Sequence, residues 1–276
     1  MGKNSEVEDI LIGSYDLHVH ANPDTEERRM DALDTARAAY ESQMSGFVLK
    51  SHDYPTAPLA DLLNRIYPGL KVKGAIILNK EVGGINPFAV KMAAKLGTKI
   101  VFMPTFLGQH REREDIATPN ISMLDENGDL TSATLEVIKI ISDYNMILAS
   151  GQMPSFKVMK LFTEARKRGI EKFIVSHPYQ LMTIQEQQNL ASMGAYIEYS
   201  LLEYMTNDNI TGANLVHILR TIGIDKCLVT TDFGQWMNPT PSEGMRMVIS
   251  LLLSNGMNSE EITKLVKTNP KFLISD

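Results

Sequence analysis

The chain has almost no cysteine and no long uninterrupted apolar run. Its one cysteine, Cys227, excludes an internal disulfide, which is typical of a reducing compartment. We interpret Cys227 as a small buried residue on a strand. No apolar run reaches the roughly 20 residues of a membrane-spanning helix, and Met1–Asp9 lacks the apolar segment of a signal peptide. We therefore expect a cytoplasmic protein that does not enter a membrane.

An excess of basic residues is also missing. The 27 lysines and arginines stand against 33 aspartates and glutamates, which gives a formal net charge of −6. This balance argues against nucleic acid or an anionic membrane as the main partner. We expect a small-molecule substrate, and we leave self-association into a homo-oligomer open.

Strand-like runs alternate with helical patterns along the chain. The strand-like runs begin near residues 15, 46, 72, 99, 146, 172, 195 and 227. Strict alternation predicts parallel β/α units. Eight such units predict a single-domain (β/α)8 TIM-type barrel over residues 14–276, with an extra C-terminal helix and an N-terminal extension over residues 1–13. An open doubly wound sheet is the alternative, although no Gly-x-Gly-x-x-Gly follows the first strand.

Four of the six histidines fall where predicted strands end. His18 and His20 lie on the first strand, His52 follows the second and His177 follows the sixth, while Asp232 follows the eighth. In a barrel of this type these strand ends meet at one mouth, which carries the active site. Imidazoles with a carboxylate suit a divalent metal, which polarises a carbonyl or phosphoryl oxygen and lowers the pKa of bound water. We predict Asp232 as both a metal ligand and the general acid/base.

The alternation of side chains along a strand refines this prediction. It places Asp16, His18 and His20 on one face, where Asp16 would orient a neighbouring imidazole. The same alternation places Lys50 and His52 together on the second strand. Taken alone, a His-x-His pair or an aspartate after a strand also suits a purely structural role. The shared position at one mouth favours a metal site.

These residues resemble those of the amidohydrolase superfamily of metal-dependent hydrolases. The resemblance rests on Asp16-Leu17-His18-Val19-His20, Val175-Ser176-His177-Pro178, Asp232 and an Asn-Pro segment in Thr268–Leu273, and it extends over residues 14–274. It is strongest with an uncharacterised branch. The resemblance implies a distorted (β/α)8 barrel, one or two divalent metals and hydrolysis at carbon or phosphorus, with Asp232 as general acid/base. Zinc is the expected metal, with manganese or iron as alternatives.

Two positions depart from the pattern of that superfamily. Many members carry a carboxylated lysine or a glutamate on strand four, where this chain has Met103-Pro104-Thr105, and a histidine after strand five, where it has Gln152. A glutamine oxygen is a poorer zinc ligand than imidazole. Either Gln152 binds weakly, or Lys50 and His52 complete the metal site. Lys50 would then act as a carbamate ligand and base; alternatively, it stays charged and pairs with an acid or an anionic substrate group.

The longest spacing, between strands four and five, places a charged loop on the catalytic face. We predict His110 and Arg111 in this loop, together with Asn79 after strand three, as substrate contacts; a solvated surface loop is the alternative. The predicted function is metal-dependent hydrolysis of an amide, ester, lactone or phosphate bond in a small organic substrate. The alternatives are a barrel that binds a metal or ligand without catalysis, and a metal-dependent decarboxylase or lyase.

Overall fold

The computed structural model describes residues 3–105 and 122–275, which contain eight strands and the helices around them. The strands are Tyr15–His20 (β1), Gly46–Lys50 (β2), Lys71–Ile77 (β3), Ile100–Phe102 (β4), Ile147–Ala149 (β5), Phe173–Val175 (β6), Tyr196–Ser200 (β7) and Cys227–Thr230 (β8). The α-helices are Lys3–Leu11 (α1), Ala32–Glu41 (α2), Ala57–Ile66 (α3), Pro87–Lys95 (α4), Ser132–Asp143 (α5), Ser155–Lys167 (α6), Pro178–Leu181 (α7), Ile184–Ser192 (α8), Leu201–Met205 (α9), Gly212–Ile222 (α10), Pro241–Ser254 (α11), Ser259–Thr263 (α12) and Asn269–Ile274 (α13).

The strands form one parallel sheet in the order in which they occur along the chain. Each strand pairs with the next, from β1 through β8. The sheet closes on itself because Val19 on β1 bridges to Phe233 just beyond β8, and the His20 N–H donates to the Phe233 carbonyl over 2.8 Å. This arrangement confirms the predicted (β/α)8 barrel.

Side chains inside the barrel and side chains between strands and helices form two separate apolar cores. The inner core takes alternate residues from successive strands, as expected for a filled barrel: Tyr15, Leu17, Val48, Ala75, Ile77, Ile100, Phe102, Ile147, Ala149, Ile174, Tyr196 and Leu228, with Leu273 and Ile274 of α13. The outer core lies under the helices and includes Val19, Phe47, Leu49, Val101 and Val229. The barrel is therefore solid below its mouth.

The two ends of the chain pack on the barrel. In α1, Ile10 and Leu11 are buried in the outer core, and Glu8 pairs with Arg246 of α11 at 2.7 Å. At the other end, Asn269 opens α13 and its amide donates to the carbonyls of Ile224 and Cys227, both at 2.8 Å. The Asn-Pro segment thus fixes the helix that covers the N-terminal end of the barrel. Within the described residues, each helix is too short or too polar to cross a bilayer.

Candidate metal centre

The first strand carries a bulge that sets the direction of its histidines. Between the pairs Asp16–Phe47 and Val19–Leu49, β1 advances by three residues while β2 advances by two. On a regular strand, residues two positions apart share a face. Here Leu17 belongs to the inner core whereas Val19 belongs to the outer core. The extra residue inverts the alternation. The imidazoles of the strand therefore lie at the mouth, above the inner core.

Three histidines surround one carboxylate at this mouth. Asp232 Oδ1 lies 3.0 Å from His18 Nε2 and 3.3 Å from His20 Nε2, and Asp232 Oδ2 lies 3.9 Å from His177 Nε2. Ligand atoms of His18, His177 and Asp232 all lie within 4.8 Å of one another. The residues predicted from strands one, six and eight are thus brought together, as the sequence indicated.

The backbone at two of these residues is unusual. His177 and Asp232 follow β6 and β8 with φ angles of 52° and 55°, in the left-handed region that non-glycine residues seldom adopt. The Asp232 N–H donates to the His18 carbonyl over 3.0 Å, which holds it against β1. Such conformations persist where the surrounding structure enforces them, and they concentrate at functional sites.

Glu198 on β7 is a residue of the candidate site that the sequence analysis missed. Its carboxylate accepts a hydrogen bond from His18 Nδ1 at 2.7 Å, and it also accepts from Ser176 Oγ at 2.6 Å and Thr230 Oγ1 at 3.0 Å. A carboxylate on one ring nitrogen directs the other nitrogen of a histidine toward a metal. The signal was an acidic residue within the otherwise buried strand Tyr196-Ile197-Glu198-Tyr199-Ser200.

Asp16 does not orient an imidazole, contrary to the prediction. Its carboxylate instead accepts hydrogen bonds from the N–H groups of His18 and Thr231, at 3.2 and 3.1 Å, and from the Thr231 hydroxyl at 2.5 Å. Burial raises the pKa of Asp16 to about 7, and the hydrogen bonds to Thr231 only partly offset it. The bulge accounts for the difference, because it separates Asp16 from the face that carries the histidines. Asp16 fastens β1 to the end of β8.

Lys50 projects into the centre of the site. Its side chain is buried, its Nζ lies 2.8 Å from His18 Nε2, and the amine stands 4.2 Å from the centroid of the Phe102 ring. Burial lowers the pKa of Lys50 to about 8, although the charges of Asp232 and Glu198 act in the opposite direction. The amine and a metal ion would compete for the same nitrogen of His18.

His52 and Asn79 form one wall of the mouth. The His52 ring stacks on His20 with a centroid distance of 4.9 Å, and His52 Nδ1 lies 3.1 Å from Thr105 Oγ1 and 3.3 Å from Asn79 Nδ2. The Asn79 oxygen accepts from the Thr105 N–H at 3.0 Å. These contacts bring Thr105, the last residue of the segment Met103-Pro104-Thr105 at the end of strand four, into the same wall. Whether Asn79 also contacts substrate stays a prediction.

The remaining predicted residues lie at the edge of the described structure or beyond it. Gln152 follows β5, is partly buried, and is held there by its N–H, which donates to the Pro104 carbonyl over 3.0 Å. Its role as a ligand stays a prediction. His110 and Arg111 lie outside the described residues.

Burial disfavours the charged form of the titratable groups in the site, and the neighbouring charges determine which of these groups stay charged. Burial lowers the pKa of His20 to about 3 and that of His177 to about 4. For His18, burial is outweighed by the charges of Asp232 and Glu198, which raise its pKa to about 9. The imidazolium of His18 in turn outweighs burial at Glu198, whose pKa falls to about 2. His20 and His177 are thus neutral imidazoles, and Asp232 and Glu198 are carboxylates, the forms in which these groups bind metals. His18 would release its proton when a metal binds.

The donor set fits a divalent metal ion. Nitrogen from imidazole and oxygen from carboxylate are the ligands of catalytic zinc sites, which use three protein ligands and keep one position open. In addition, His20 Nδ1 is buried and has no hydrogen-bond partner among the described residues. That nitrogen points away from the centre, because Nε2 is the ring atom that faces Asp232, so Nε2 is the atom that His20 would offer to an ion there. His18, His20, His177 and Asp232 are the residues that would hold the ion.

Comparison with solved structures confirms the resemblance to amidohydrolases at the level of the fold. An amidohydrolase from Pseudomonas aeruginosa is 11% identical, with a TM-score of 0.66 over 99% of this chain and 98% of its own. A lactonase from Listeria monocytogenes is 11% identical, with a TM-score of 0.62 over 96% and 95%. A 2,6-dihydroxybenzoate decarboxylase, solved with 2,6-dihydroxybenzoate, is 12% identical, with a TM-score of 0.59 over 95% and 99%.

Sequence comparisons match the chain to one protein family. A comparison with curated protein sequences finds no match. The sequence model of one family, described as a family of unknown function (DUF6282), matches residues 13–198. This region covers more than half of the chain and includes β1 through the Glu198 position on β7. The protein therefore belongs to the DUF6282 family.

Proposed function

We propose that this protein is a metal-dependent hydrolase that acts on an amide, ester, lactone or phosphate bond of a small organic substrate. The observation that carries the proposal is the convergence of His18, His20 and His177 on the Asp232 carboxylate at the mouth of the barrel. When bound there, a divalent metal supplies Lewis acidity toward the substrate oxygen and toward water. We propose zinc, because imidazole and carboxylate ligands suit it.

Side chains of the protein carry out proton transfer, orient the ring of His18 and bind the substrate. Asp232, held as a carboxylate because its pKa lies well below the usual value despite burial, accepts a proton from the attacking water and returns it to the leaving group. Glu198 fixes the ring of His18. The buried amine of Lys50 lies beside these groups and binds an anionic group of the substrate. The stacked rings of His20 and His52 form the wall against which the substrate lies.

A metal-dependent decarboxylase is the second candidate. The fold is shared with a 2,6-dihydroxybenzoate decarboxylase, and a buried lysine amine in the site suits a substrate that carries a carboxylate. The two candidates differ in product: hydrolysis consumes water and yields an acid or alcohol, whereas decarboxylation releases carbon dioxide.

Metal analysis joined to a substrate panel tests the proposal. The purified protein should contain zinc or another divalent metal, and it should turn over members of an esterase, lactonase, amidase and phosphatase panel. Asp232→Asn should lower turnover by about 10²–10⁴-fold, with a much smaller loss of metal.

The double variant His18→Ala, His20→Ala should fold but lose its metal. His217→Ala is the matched control, because His217 is exposed on α10. Wild-type metal content in the double variant would place the site elsewhere. Carbon dioxide release from carboxylated aromatics, without hydrolysis of any panel member, would select the decarboxylase.

A further inference from the structure

A buried arginine, Arg28, lies in the connection between β1 and α2. Its side chain is 5% exposed, and its Nη2 donates to Asp24 Oδ2 over 3.0 Å, within a pair whose aspartate side chain is 0% exposed. Arginine is seldom buried unless it is paired. The next residue, Arg29, is exposed, so burial distinguishes Arg28 from its neighbour.

The contacts of the pair place it against the mouth of the barrel. Asp24 Oδ2 lies 3.5 Å from Ser51 Oγ, and Ser51 stands between Lys50 and His52 in the sequence. On the other side, the backbone of Arg28 forms a bridge with Gln235, three residues beyond Asp232. The Arg29 N–H donates to the Gly234 carbonyl over 2.8 Å. The backbone of Arg28 is thereby held beside the segment that follows Asp232, and its guanidinium is held by Asp24 beside the end of β2.

One donor of this guanidinium is not used. Arg28 Nε is buried and has no hydrogen-bond partner among the described residues. A buried donor without an acceptor is unfavourable, and it is rare in folded proteins. The charge of Arg28 also acts on the site, since after burial it is one of the causes that lower the pKa of His20 and His52. An acceptor supplied from outside the chain would satisfy the donor.

We propose that Arg28 binds a carboxylate group of the substrate, an inference that rests on the proposed function and specifies its substrate class. Guanidinium and carboxylate form strong charge-assisted hydrogen bonds. The pair of Arg28 and Asp24 carries no net charge, so that with Lys50 the three groups carry one positive charge, which favours a monoanion over a phosphate dianion. Lys50 supplies a second positive charge at the same mouth. The substrate is then a small carboxylic acid whose scissile bond lies at the metal centre and whose carboxylate lies toward Arg28.

Benzoate binding tests this assignment. The chain has one tryptophan, Trp236, whose carbonyl accepts from Arg29 Nη1 at 3.3 Å, so its fluorescence reports on this side of the mouth. Titrations use the protein as purified and again after chelation of metal, which removes direct binding of the carboxylate to a metal. Arg28→Gln should weaken benzoate binding by about tenfold or more in both states. Arg29→Gln, which makes the same change of charge one residue away on the surface, should stay within about twofold.

A second variant separates a loss of benzoate binding from a loss of the folded structure. Arg28→Gln leaves the Asp24 carboxylate buried without its partner, whereas Asp24→Asn, Arg28→Gln replaces the pair with two amides. The double variant should have a melting temperature close to that of the wild type, and its benzoate binding should be weakened as in Arg28→Gln. Wild-type affinity in either folded variant, or tighter binding of inorganic phosphate than of benzoate, would overturn the proposal.

The outcome is separable from that of the proposed function. If the protein takes up no metal and hydrolyses nothing, yet loses benzoate binding with Arg28→Gln, the proposed function fails and the carboxylate site stands. If metal and turnover are present and Arg28→Gln binds benzoate as wild type does, the carboxylate site fails and the proposed function stands.

Discussion

Glu198 on β7 accepts a 2.7 Å hydrogen bond from the ring of His18 on β1, on the opposite side of that ring from Asp232. This contact selects the nitrogen that His18 presents to the centre of the mouth. Glu198→Gln should therefore weaken metal binding by about 10–100-fold, which is the usual cost of removing such a partner. Competition with a chromogenic chelator measures the affinity.

The control for Glu198 is Glu136→Gln. Glu136 is an acid on α5 whose side chain is 52% exposed, and its removal changes the net charge equally. The control should bind metal as wild type does. Equal affinities in Glu198→Gln and wild type would show that the hydrogen bond to His18 is dispensable for the centre.

The second prediction separates the two hypotheses for Lys50. Its amine lies over the face of Phe102 at 4.2 Å, where the ring attracts a cation and repels an anion. The nearby carboxylates of Asp232 and Glu198 also disfavour a carbamate. We expect Lys50→Met to retain its metal content and to lose affinity for anionic substrates. Elemental analysis and substrate titration measure the two effects.

Intact mass of the wild-type protein supplies the independent check on Lys50. An unmodified mass agrees with a lysine cation. A mass increased by one carbon dioxide, together with the loss of one metal equivalent in Lys50→Met, would instead establish the carbamate ligand.

The third prediction concerns Gly234, which touches β1 beside the site. A Cβ at this position would lie 2.2 Å from the carbonyl oxygen of His20, and the φ angle is +151°. Gly234→Ala should destabilise the fold by more than about 1 kcal/mol and lower metal content by displacing His20. Thermal melts and elemental analysis measure both.

Gly97→Ala is the matched control, since Gly97 has a φ of +87° but nothing within 4 Å of its added Cβ. It should lose some stability and keep its metal; a Gly234→Ala protein with full metal content would contradict the expectation.

The fourth prediction concerns the one cysteine. Cys227 is fully buried at the start of β8, as the sequence analysis predicted, and burial raises the pKa of its thiol. The thiolate is the reactive form, so Ellman's reagent should label no thiol in the native protein and one in denaturant. Rapid labelling under native conditions would show that β8 opens locally.

Periodicity was sufficient to predict the barrel. Each strand begins within one residue of its predicted start, because parallel buried strands are compact apolar runs separated by helices of regular length. The short helices α7, α9 and α13 and the N-terminal helix α1 were missed. Each is 4–9 residues long and depends on packing against the barrel, which the local pattern does not contain.

The candidate site was predicted in part. Histidines at strand ends converge because topology alone brings those ends together. The orientation of Asp16 was wrong, because a bulge depends on the pairing of β1 with β2 and leaves no mark in β1 itself. Arg28 was not predicted, since its neighbour Arg29 offers the same side chain in the same loop. Which of the two is buried is decided by Asp24 and by the segment around Gly234.

The contact between Asp16 and Thr231 joins residues 215 positions apart, and it has a consequence for biosynthesis. During translation the ribosome must release β8 and the residues after it before β1 can close the barrel against them. His18 and His20 are therefore without Asp232 for most of synthesis. A nascent or truncated chain lacking β8 retains the histidine pair but has no complete centre. Contacts this distant along the chain form late. Metal uptake should therefore mark completed molecules, and incomplete ones should present an open β1 edge to chaperones and proteases.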